Sequence, residues 1–356
     1  MKILFVISSL NTGGAEKNLT TISNYFDTLG HNITIVILSK DKPFFTSNSS
    51  IELIQLGLDR PKDGFLNRVK HIPTLIYSLK ENISTLKPDI VISFMTEVNV
   101  LSTIASKLAG VPIVVSERTN YNFLSSKIWK ILRRVVYPFS DALIVQSNYD
   151  KKKYSFHNNC HIIYNSIFIS NQYKNIKREN IILAVGRLTY IKGFDMLIEA
   201  FSNLNYKDWK LIIVGEGELR QKLEEQISKK GLNSFIEMPG RTLDIEKYYK
   251  KASIFVLSSR MEGFPNVLIE AMAYGCSSIA FDCLTGPSDI IKNKENGVLV
   301  KPKNIKELSK ELMILIDDTS KRKELGNNAT KISDRLSIDK ISNRWLEVIK
   351  DVLERR

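Results

Sequence analysis

Two glutamates separated by seven residues carry the clearest chemistry in this sequence. Glu262 and Glu270 stand in Ser259-Arg260-Met261-Glu262-Gly263-Phe264-Pro265-Asn266-Val267-Leu268-Ile269-Glu270. The stretch follows an apolar run, Ser253-Ile254-Phe255-Val256-Leu257, that reads as a buried parallel strand. Gly263 breaks the run, and Pro265 suits the first position of a new helix, where its missing N–H costs nothing. The expected unit is therefore strand, tight turn, helix. Amides at a helix start attract phosphate. Those of Gly263, Phe264, Asn266 and Val267 lie between the two carboxylates. Glu262 falls in the turn, and Glu270 lies more than a turn into the helix, where it can accept two hydrogen bonds from a vicinal diol. Two carboxylates around an anion site fit a sugar nucleotide: diphosphate on the amides, ribose on one Glu and sugar on the other.

Further motifs stand in register with this one. They are Gly13-Gly14-Ala15-Glu16, Ala184-Val185-Gly186-Arg187-Leu188 with Lys192-Gly193, Val214-Gly215-Glu216-Gly217, Thr285-Gly286-Pro287-Ser288-Asp289 and Asn296-Gly297. Their order and spacing over nearly the whole chain resemble the family 4 retaining glycosyltransferases. The resemblance implies an α/β fold of the GT-B type, two Rossmann-like doubly wound domains facing each other across a cleft. It implies an N-terminal acceptor-binding domain, 1–170, a nucleotide-sugar domain, 171–337, and a last helix, 338–356, packing back on the first domain.

Residue by residue, the resemblance makes Arg187 and Lys192 the clamp on the diphosphate, Glu270 the ribose ligand and Glu262 the carboxylate touching the transferred sugar. Glu262, Arg187 and Lys192 are then the expected catalytic residues. As the sugar–phosphate bond breaks, charge grows on the leaving diphosphate, and one fixed donor aimed at it is typically worth ~2.7–4 kcal/mol. Arg brings a bidentate fork and Lys a point charge. Gly14 belongs to a second anion site at a helix start. The Gly240-Arg241 loop is expected at the base, through backbone groups, and the Asp289 region on the sugar or acceptor side. No carboxylate stands out as a nucleophile, so retention is expected to proceed by a front-face transfer assisted by the leaving phosphate.

The positioning elements follow from the pattern along the chain. Ile3–Leu10 reads as a first strand feeding a Gly-rich loop rather than as a signal peptide. Strands are expected over Asn32–Leu38, Ile51–Leu56, Pro88–Phe94, Val111–Ser116 and Ala142–Ser147, with helices over Glu16–Leu29, Val69–Leu86 and Val98–Leu108. Such alternation implies a parallel sheet, whose ligands collect after strand C-termini. That rule puts Gly13, Thr96, Glu97, Glu117, Arg118 and Ser147 on one rim. Phe94–Asn99 and Ser116–Asn120 resemble bacterial enzymes that extend lipid-linked oligosaccharides, so Glu97, Glu117 and Arg118 are expected to bind the acceptor. Met95-Thr96-Glu97 stands where many relatives carry a histidine, so no histidine base is assigned. A polar linker is expected over Ile167–Asn180. The alternation then restarts with strands at Ile181–Val185, Trp209–Val214, Ile236–Met238, Ile254–Leu257, Ser277–Phe281 and Val298–Val300.

Composition bounds the partners. With 43% hydrophobic and 25% charged residues the 356-residue chain is globular and long enough for two domains. Its net charge of +13 calls for an anionic partner: nucleic acid, nucleotide or membrane surface. No run reaches the ~18 apolar residues of a membrane span. Cys160, Cys276 and Cys283 form no C-x-x-C pair, which suits a reducing cytoplasm. The four histidines lack ligand spacing and Asp317-Asp318 follows no strand, so no catalytic metal is expected.

The reading is a hexosyl- or N-acetylhexosaminyltransferase that uses a UDP-sugar donor and a lipid-linked saccharide acceptor. It would act in bacterial surface polysaccharide or glycan synthesis, such as O-antigen or capsule, at the inner face of the cell membrane. A UDP-sugar hydrolase or 2-epimerase on the same fold is the alternative. A nucleic-acid-binding protein is suggested by charge alone, without a binding motif, and no nucleic-acid partner is expected. Asn122–Phe139 has helical period: Leu124, Ile128, Ile131, Leu132, Val135 and Val136 on one side, Lys127, Lys130, Arg133 and Arg134 on the other. The basic side is expected to dock on anionic lipid, with the apolar side in the core.

Overall fold

Runs of apolar β-formers bury both faces of most strands, and this dictates parallel sheets covered by helices. A computed structural model describes residues 1–11, 13–58, 65–167, 177–204 and 208–355, without the side chains of 65–70. The linker expected over Ile167–Asn180 lies largely outside the described residues. The chain forms two compact units, Met1–Ser166 with Leu336–Arg356, and Ile167–Arg335.

The first unit holds β1 (Lys2–Ile7), β2 (Asn32–Ile37), β3 (Glu52–Gln55), β4 (Ile90–Phe94), β5 (Ile113–Ser116), β6 (Ala142–Val145) and β7 (Cys160–Ile162). They form one sheet in the order β3-β2-β1-β4-β5-β6-β7, and every pairing is parallel. The order reverses between β1 and β4, and ligands gather beyond the strand ends at such a reversal. Helix Gly14–Thr28 leaves β1 there and buries Ala15, Leu19, Ile22 and Phe26, a spacing of four, three and four. Helix Thr96–Ala109 leaves β4 one residue later, so Glu97 sits in a helical first turn rather than in a loop. Met95, between them, holds φ +77, a conformation that costs a non-glycine residue about 1–3 kcal/mol.

The last helix, Ile338–Glu354, belongs to this first unit and packs on helix Gly14–Thr28. Ser337 caps it, accepting from the Lys340 amide at 3.4 Å. Its buried Ile338, Ile341, Trp345, Val348 and Val352 recur at three and four residues. Trp345 is fully buried and stacks on Phe94 at the end of β4, with ring centroids 6.0 Å apart.

The second unit holds β8 (Glu179–Val185), β9 (Lys210–Val214), β10 (Ile236–Gly240), β11 (Ala252–Leu257), β12 (Ser277–Phe281) and β13 (Val298–Val300). Its parallel sheet runs β10-β9-β8-β11-β12-β13, reversing between β8 and β11. This core joins one face of the sheet to helices Phe194–Ser202 and Ile305–Asp317, through Leu197, Phe201, Leu308 and Leu312.

Trp345→Ala tests the anchoring of the last helix. It should lower the unfolding free energy by about 3–5 kcal/mol, the usual cost of emptying a large core site, measured by urea denaturation.

Candidate functional site

The candidate site in the second unit is assembled by backbone contact at the β8/β11 reversal. Gly193 holds φ +66, and a Cβ built on it would lie 2.1 Å from the Ser258 carbonyl oxygen and 2.6 Å from Met196 Cε. Only glycine lets the loop after β8 lie on the end of β11 so closely. Ser258 Oγ donates to the Lys192 carbonyl at 3.0 Å, and the Arg260 amide donates to the Ile191 carbonyl at 2.7 Å. Arg260 fixes the same segment with its side chain. It donates to Asp195 through two nitrogens, at 2.8 and 2.6 Å, and to the Tyr190 carbonyl at 2.7 Å. Its guanidinium also lies 4.0 Å from the centre of the Tyr190 ring.

These contacts deliver Lys192 to Glu262. Lys192 Nζ lies 2.6 Å from Glu262 Oε1, and Ser259 Oγ donates to the same oxygen at 2.6 Å. Glu262 is buried and Lys192 is about a quarter exposed. Burial of the carboxylate means that loss of the cation would leave a charge without its partner, which is costly. Thr285 Oγ1 donates to the Glu262 carbonyl, tying the loop after β12 to the glutamate turn. Arg187, at the end of β8, is exposed. The stem of Lys192 passes over Gly186, where a Cβ would meet Lys192 Cδ at 3.4 Å.

Helix Asn266–Ala273 follows the turn, with Pro265 as its capping residue rather than its first helical one. The shift leaves the first-turn amides of Asn266 and Val267 at the helix mouth, where a helix supplies no partner of its own. Gly263 and Phe264 form the turn before it, with the Phe264 side chain buried. Glu270 is half-buried and accepts from Tyr249 Oη at 2.9 Å. Burial and the Glu270 charge hold the Tyr249 phenol protonated, well above its usual range, so it remains a donor that orients the carboxylate. Gly240 ends β10, and its carbonyl accepts from the Gly215 amide at 3.0 Å. Arg241 beside it is exposed. Arg220 bridges Glu216 and Glu224 at 2.6 and 2.9 Å next to this loop. The nearest thiol to the turn is no nucleophile: burial, with the Glu262 charge, pushes Cys283 up to about 12.

The first unit gathers the other expected residues and corrects some of them. Gly14 opens helix Gly14–Thr28 and Glu97 is half-buried in the first turn of helix Thr96–Ala109. Glu117 and Arg118 are buried, not on a rim. Glu117 accepts from Thr96 Oγ1 at 2.9 Å and from Tyr137 Oη. Burial raises its pKa, opposed by Tyr137, the Arg133 charge and Thr96. Arg118 Cζ lies 4.8 Å from the Phe94 ring centre and 5.3 Å from that of Trp345, and Nη1 donates to Asn165 at 2.9 Å. Burial without a carboxylate partner lowers its pKa to about 9. The residues after β5 turn inward onto partners in the core: Thr96 and Tyr137 hold Glu117, and the Phe94 and Trp345 rings flank Arg118.

The larger correction concerns the basic helix. It runs Lys127–Val136, and Arg133 is 2% exposed. Its guanidinium lies 3.8 Å from the Tyr121 ring centre and 5.2 Å from that of Tyr154, and donates to Tyr154 Oη at 3.1 Å and to the Tyr121 carbonyl at 3.3 Å. Two tyrosine faces and two oxygens let an arginine occupy a core position. The buried side is therefore Trp129, Arg133 and Val136, while Ile128, Ile131 and Val135 are exposed along with Lys127, Lys130 and Arg134.

Sequence reasoning missed Arg260, Asp195, Ser259 and Tyr249. Arg260 and Ser259 lie inside the glutamate motif, so position alone was a signal for them. Tyr249 and Asp195 reach the site only through the packing of β8 and β11. No helix among the described residues is long and apolar enough to cross a membrane.

With this geometry described, known proteins can be compared. Residues 165–332 match the family "Glycosyl transferases group 1", and residues 12–170 match "Glycosyltransferase Family 4". The chain is 33% identical, over 99% of both lengths, to the GalNAc-alpha-(1->4)-GalNAc-alpha-(1->3)-diNAcBac-PP-undecaprenol alpha-1,4-N-acetyl-D-galactosaminyltransferase of Campylobacter jejuni. It is 28% identical to the amylovoran biosynthesis glycosyltransferase AmsD of Erwinia amylovora, covering 98% of this chain and 99% of that protein. Among solved structures, Anabaena HepE in complex with UDP superposes with a TM-score of 0.79 at 20% identity, covering 99% of this chain and all of that one. These likenesses support the GT-B fold.

The close approach at Gly193 is testable against an internal control. Gly231 holds the same φ of +66 but has open space where a Cβ would stand. Gly231→Ala should cost about 1–2 kcal/mol for the left-handed backbone alone. Gly193→Ala should cost clearly more by urea denaturation, because the Ser258 carbonyl must also move.

Proposed function

The chain belongs to the family 4 glycosyltransferases, and from that premise we propose that it moves a hexose or N-acetylhexosamine from a UDP-sugar to a lipid-linked saccharide, with retention at the anomeric carbon. The product would enter a bacterial surface polysaccharide or glycan, and the enzyme would work peripherally at the cytoplasmic face of the membrane. The observation that carries this reading is the contact of Lys192 with Glu262 at the β8/β11 reversal, with Glu270 eight residues beyond Glu262 on the following helix. The Campylobacter jejuni relative supports the acceptor class through its name, the Erwinia amylovora relative supports a role in polysaccharide synthesis, and HepE, bound to UDP, supports the donor class.

In this reading the ribose diol rests on Glu270, whose second oxygen is held by Tyr249. The diphosphate meets the amides from Gly263 to Val267 and the charges of Arg187 and Lys192. Glu262 accepts from a hydroxyl of the transferred sugar, and its bond from Ser259 keeps it oriented when Lys192 turns to phosphate. The Gly240-Arg241 loop takes the base. Arg187 and Lys192 offset the charge that grows on the leaving diphosphate, and the acceptor hydroxyl enters on the face that the diphosphate leaves. No step in this scheme uses a metal. On the acceptor side the role falls to Glu97, half-buried in the first turn of its helix, with Glu117 and Arg118 buried at the end of β5.

Substitutions at three positions test the assignment. Glu270→Ala should weaken UDP binding by removing hydrogen bonds worth roughly 1.5–3 kcal/mol each, read by calorimetry; undiminished affinity would contradict the ribose role. Lys192→Ala should lower turnover at saturating donor by ~10²–10³, and it should also lower thermal stability, because buried Glu262 loses its cation. Arg260→Ala should lower turnover about tenfold by loosening the Lys192 segment, and Arg260→Lys should restore only part, since a bidentate fork is lost. Release of free sugar without an acceptor, at the rate of transfer, would point to a hydrolase instead.

A further inference from the structure

The bond between Tyr249 and Glu270 is held from the far end of the second sheet. Arg178 directly precedes β8 and Arg187 follows its end, so the seven-residue strand puts roughly 20 Å between the two arginines. Nη1 of Arg178 donates to the carbonyl of Ala252, and to that of Tyr249 at 3.4 Å. Both carbonyls lie at the end of helix Glu246–Lys251. Nη2 donates to the carbonyl of Tyr274, the residue that ends helix Asn266–Ala273. Gly275 follows with φ +77, and a Cβ there would lie 3.1 Å from Nη2. The Cys276 thiol closes the contact, accepting from Nη1 at 3.5 Å and donating to the Tyr249 carbonyl at 3.3 Å.

The last carbonyls of a helix have no partner within it, and a cation is favoured beside them. A planar guanidinium can serve two helix ends at once, because its donors form a fixed fork. Arg178 therefore ties the end of one helix to the end of the other.

We propose that Arg178 is a positioning residue for the nucleotide: by joining the two helix ends it sets Tyr249 against Glu270, and so aims the Glu270 carboxylate at the ribose diol. This rests on the ribose role of Glu270 proposed above. Each helix brings one residue to the bond. Tyr249 belongs to the first, and Glu270, one turn before Tyr274, to the second. Tyr249 Oη donates to Glu270 Oε2 at 2.9 Å, and the Tyr249 ring stacks on that of Tyr274, with centroids 5.6 Å apart and planes 15° apart. Tyr249 is fully buried, so its ring has no room to swing. It is fixed at its backbone by Arg178 and at its tip by Glu270. A slip of either helix end by about 1 Å would carry the 2.9 Å bond beyond hydrogen-bond length. Arg260 fixes the segment that bears Lys192, on the phosphate side of the site. Arg178 does the corresponding work on the ribose side, without touching the ligand.

A role in packing alone predicts the same loss for every nucleotide. A role in aiming Glu270 predicts loss only where the diol is present. The test compares UDP with 2′,3′-dideoxy-UDP by calorimetry. The parent should bind UDP at least about 100-fold more tightly, because the analogue lacks two hydrogen bonds to a carboxylate. Arg178→Ala should lower that ratio about tenfold by weakening UDP, and leave dideoxy-UDP binding unchanged. Tyr249→Phe, which removes the donor to Glu270 and keeps the ring, should lower it by a similar factor. The two changes together should lower it no further than either alone, since both act through one bond. Arg178→Lys keeps a cation without the fork and should fall between the parent and Arg178→Ala. It takes the place of Arg178→Ala throughout should that variant not fold.

A parent-like ratio in the Arg178 variant, or an equal loss of both nucleotides, would overturn the proposal. A further fall in the double variant would overturn it too, because the two residues would then act separately. A parent that binds UDP and dideoxy-UDP alike is a different result: it would remove the ribose from Glu270, and the positioning role of Arg178 with it.

Discussion

A single backbone contact, the Ser258 carbonyl against the α-carbon of Gly193, is what the candidate site depends on. It lays the loop after β8 on the end of β11 where the sheet order reverses. Once the loops are that close, Lys192 and Glu262 fall within an ion-pair distance, and Arg260 closes the segment by gripping Asp195 and the Tyr190 carbonyl. The chemistry is then a matter of exchange. In the proposed function a lysine neutralised by a carboxylate would be traded to a phosphate at small net cost, because the glutamate would keep its serine donor and gain a sugar hydroxyl. An unpaired buried glutamate would have had to be held charged at several kcal/mol.

The same economy appears in the first unit, where aromatic faces take the place of counter-ions. Arg118 lies between Phe94 and Trp345, and Arg133 between Tyr121 and Tyr154. Trp345 comes from the last helix, so the C-terminal segment completes the packing behind β4 and β5. With Arg133 turned inward, the helix that carries it is forced to turn its isoleucines out.

The sheets were legible because period and burial agree. The largely apolar runs of β1, β4, β6 and β11 fit a strand covered on both faces, and they are fully or nearly fully buried. The glutamate motif was legible because Gly263 and Pro265 mark the turn, although Pro265 caps the helix instead of beginning it. The Lys127–Val136 helix was misread for a physical reason. A wheel sorts residues by polarity and assigns the apolar side inward, which holds only where nothing polar has a partner inside. Tyr121 and Tyr154 supply that partner to Arg133, and neither is near it in sequence. Glu117 and Arg118 were placed on a rim by the rule for strand ends. The rule locates the backbone correctly, but it does not say whether side chains turn toward ligand or core. Short elements such as β7 and the helix Glu246–Lys251 have too few residues to show a period.

The most direct test of the central claim is a structure of the enzyme with UDP bound. The account predicts the ribose hydroxyls on Glu270 and the terminal phosphate within about 3 Å of Lys192 Nζ, with the lysine drawn off Glu262. UDP bound with its ribose away from Glu270, or Lys192 still paired to Glu262 with no contact to phosphate, would contradict it.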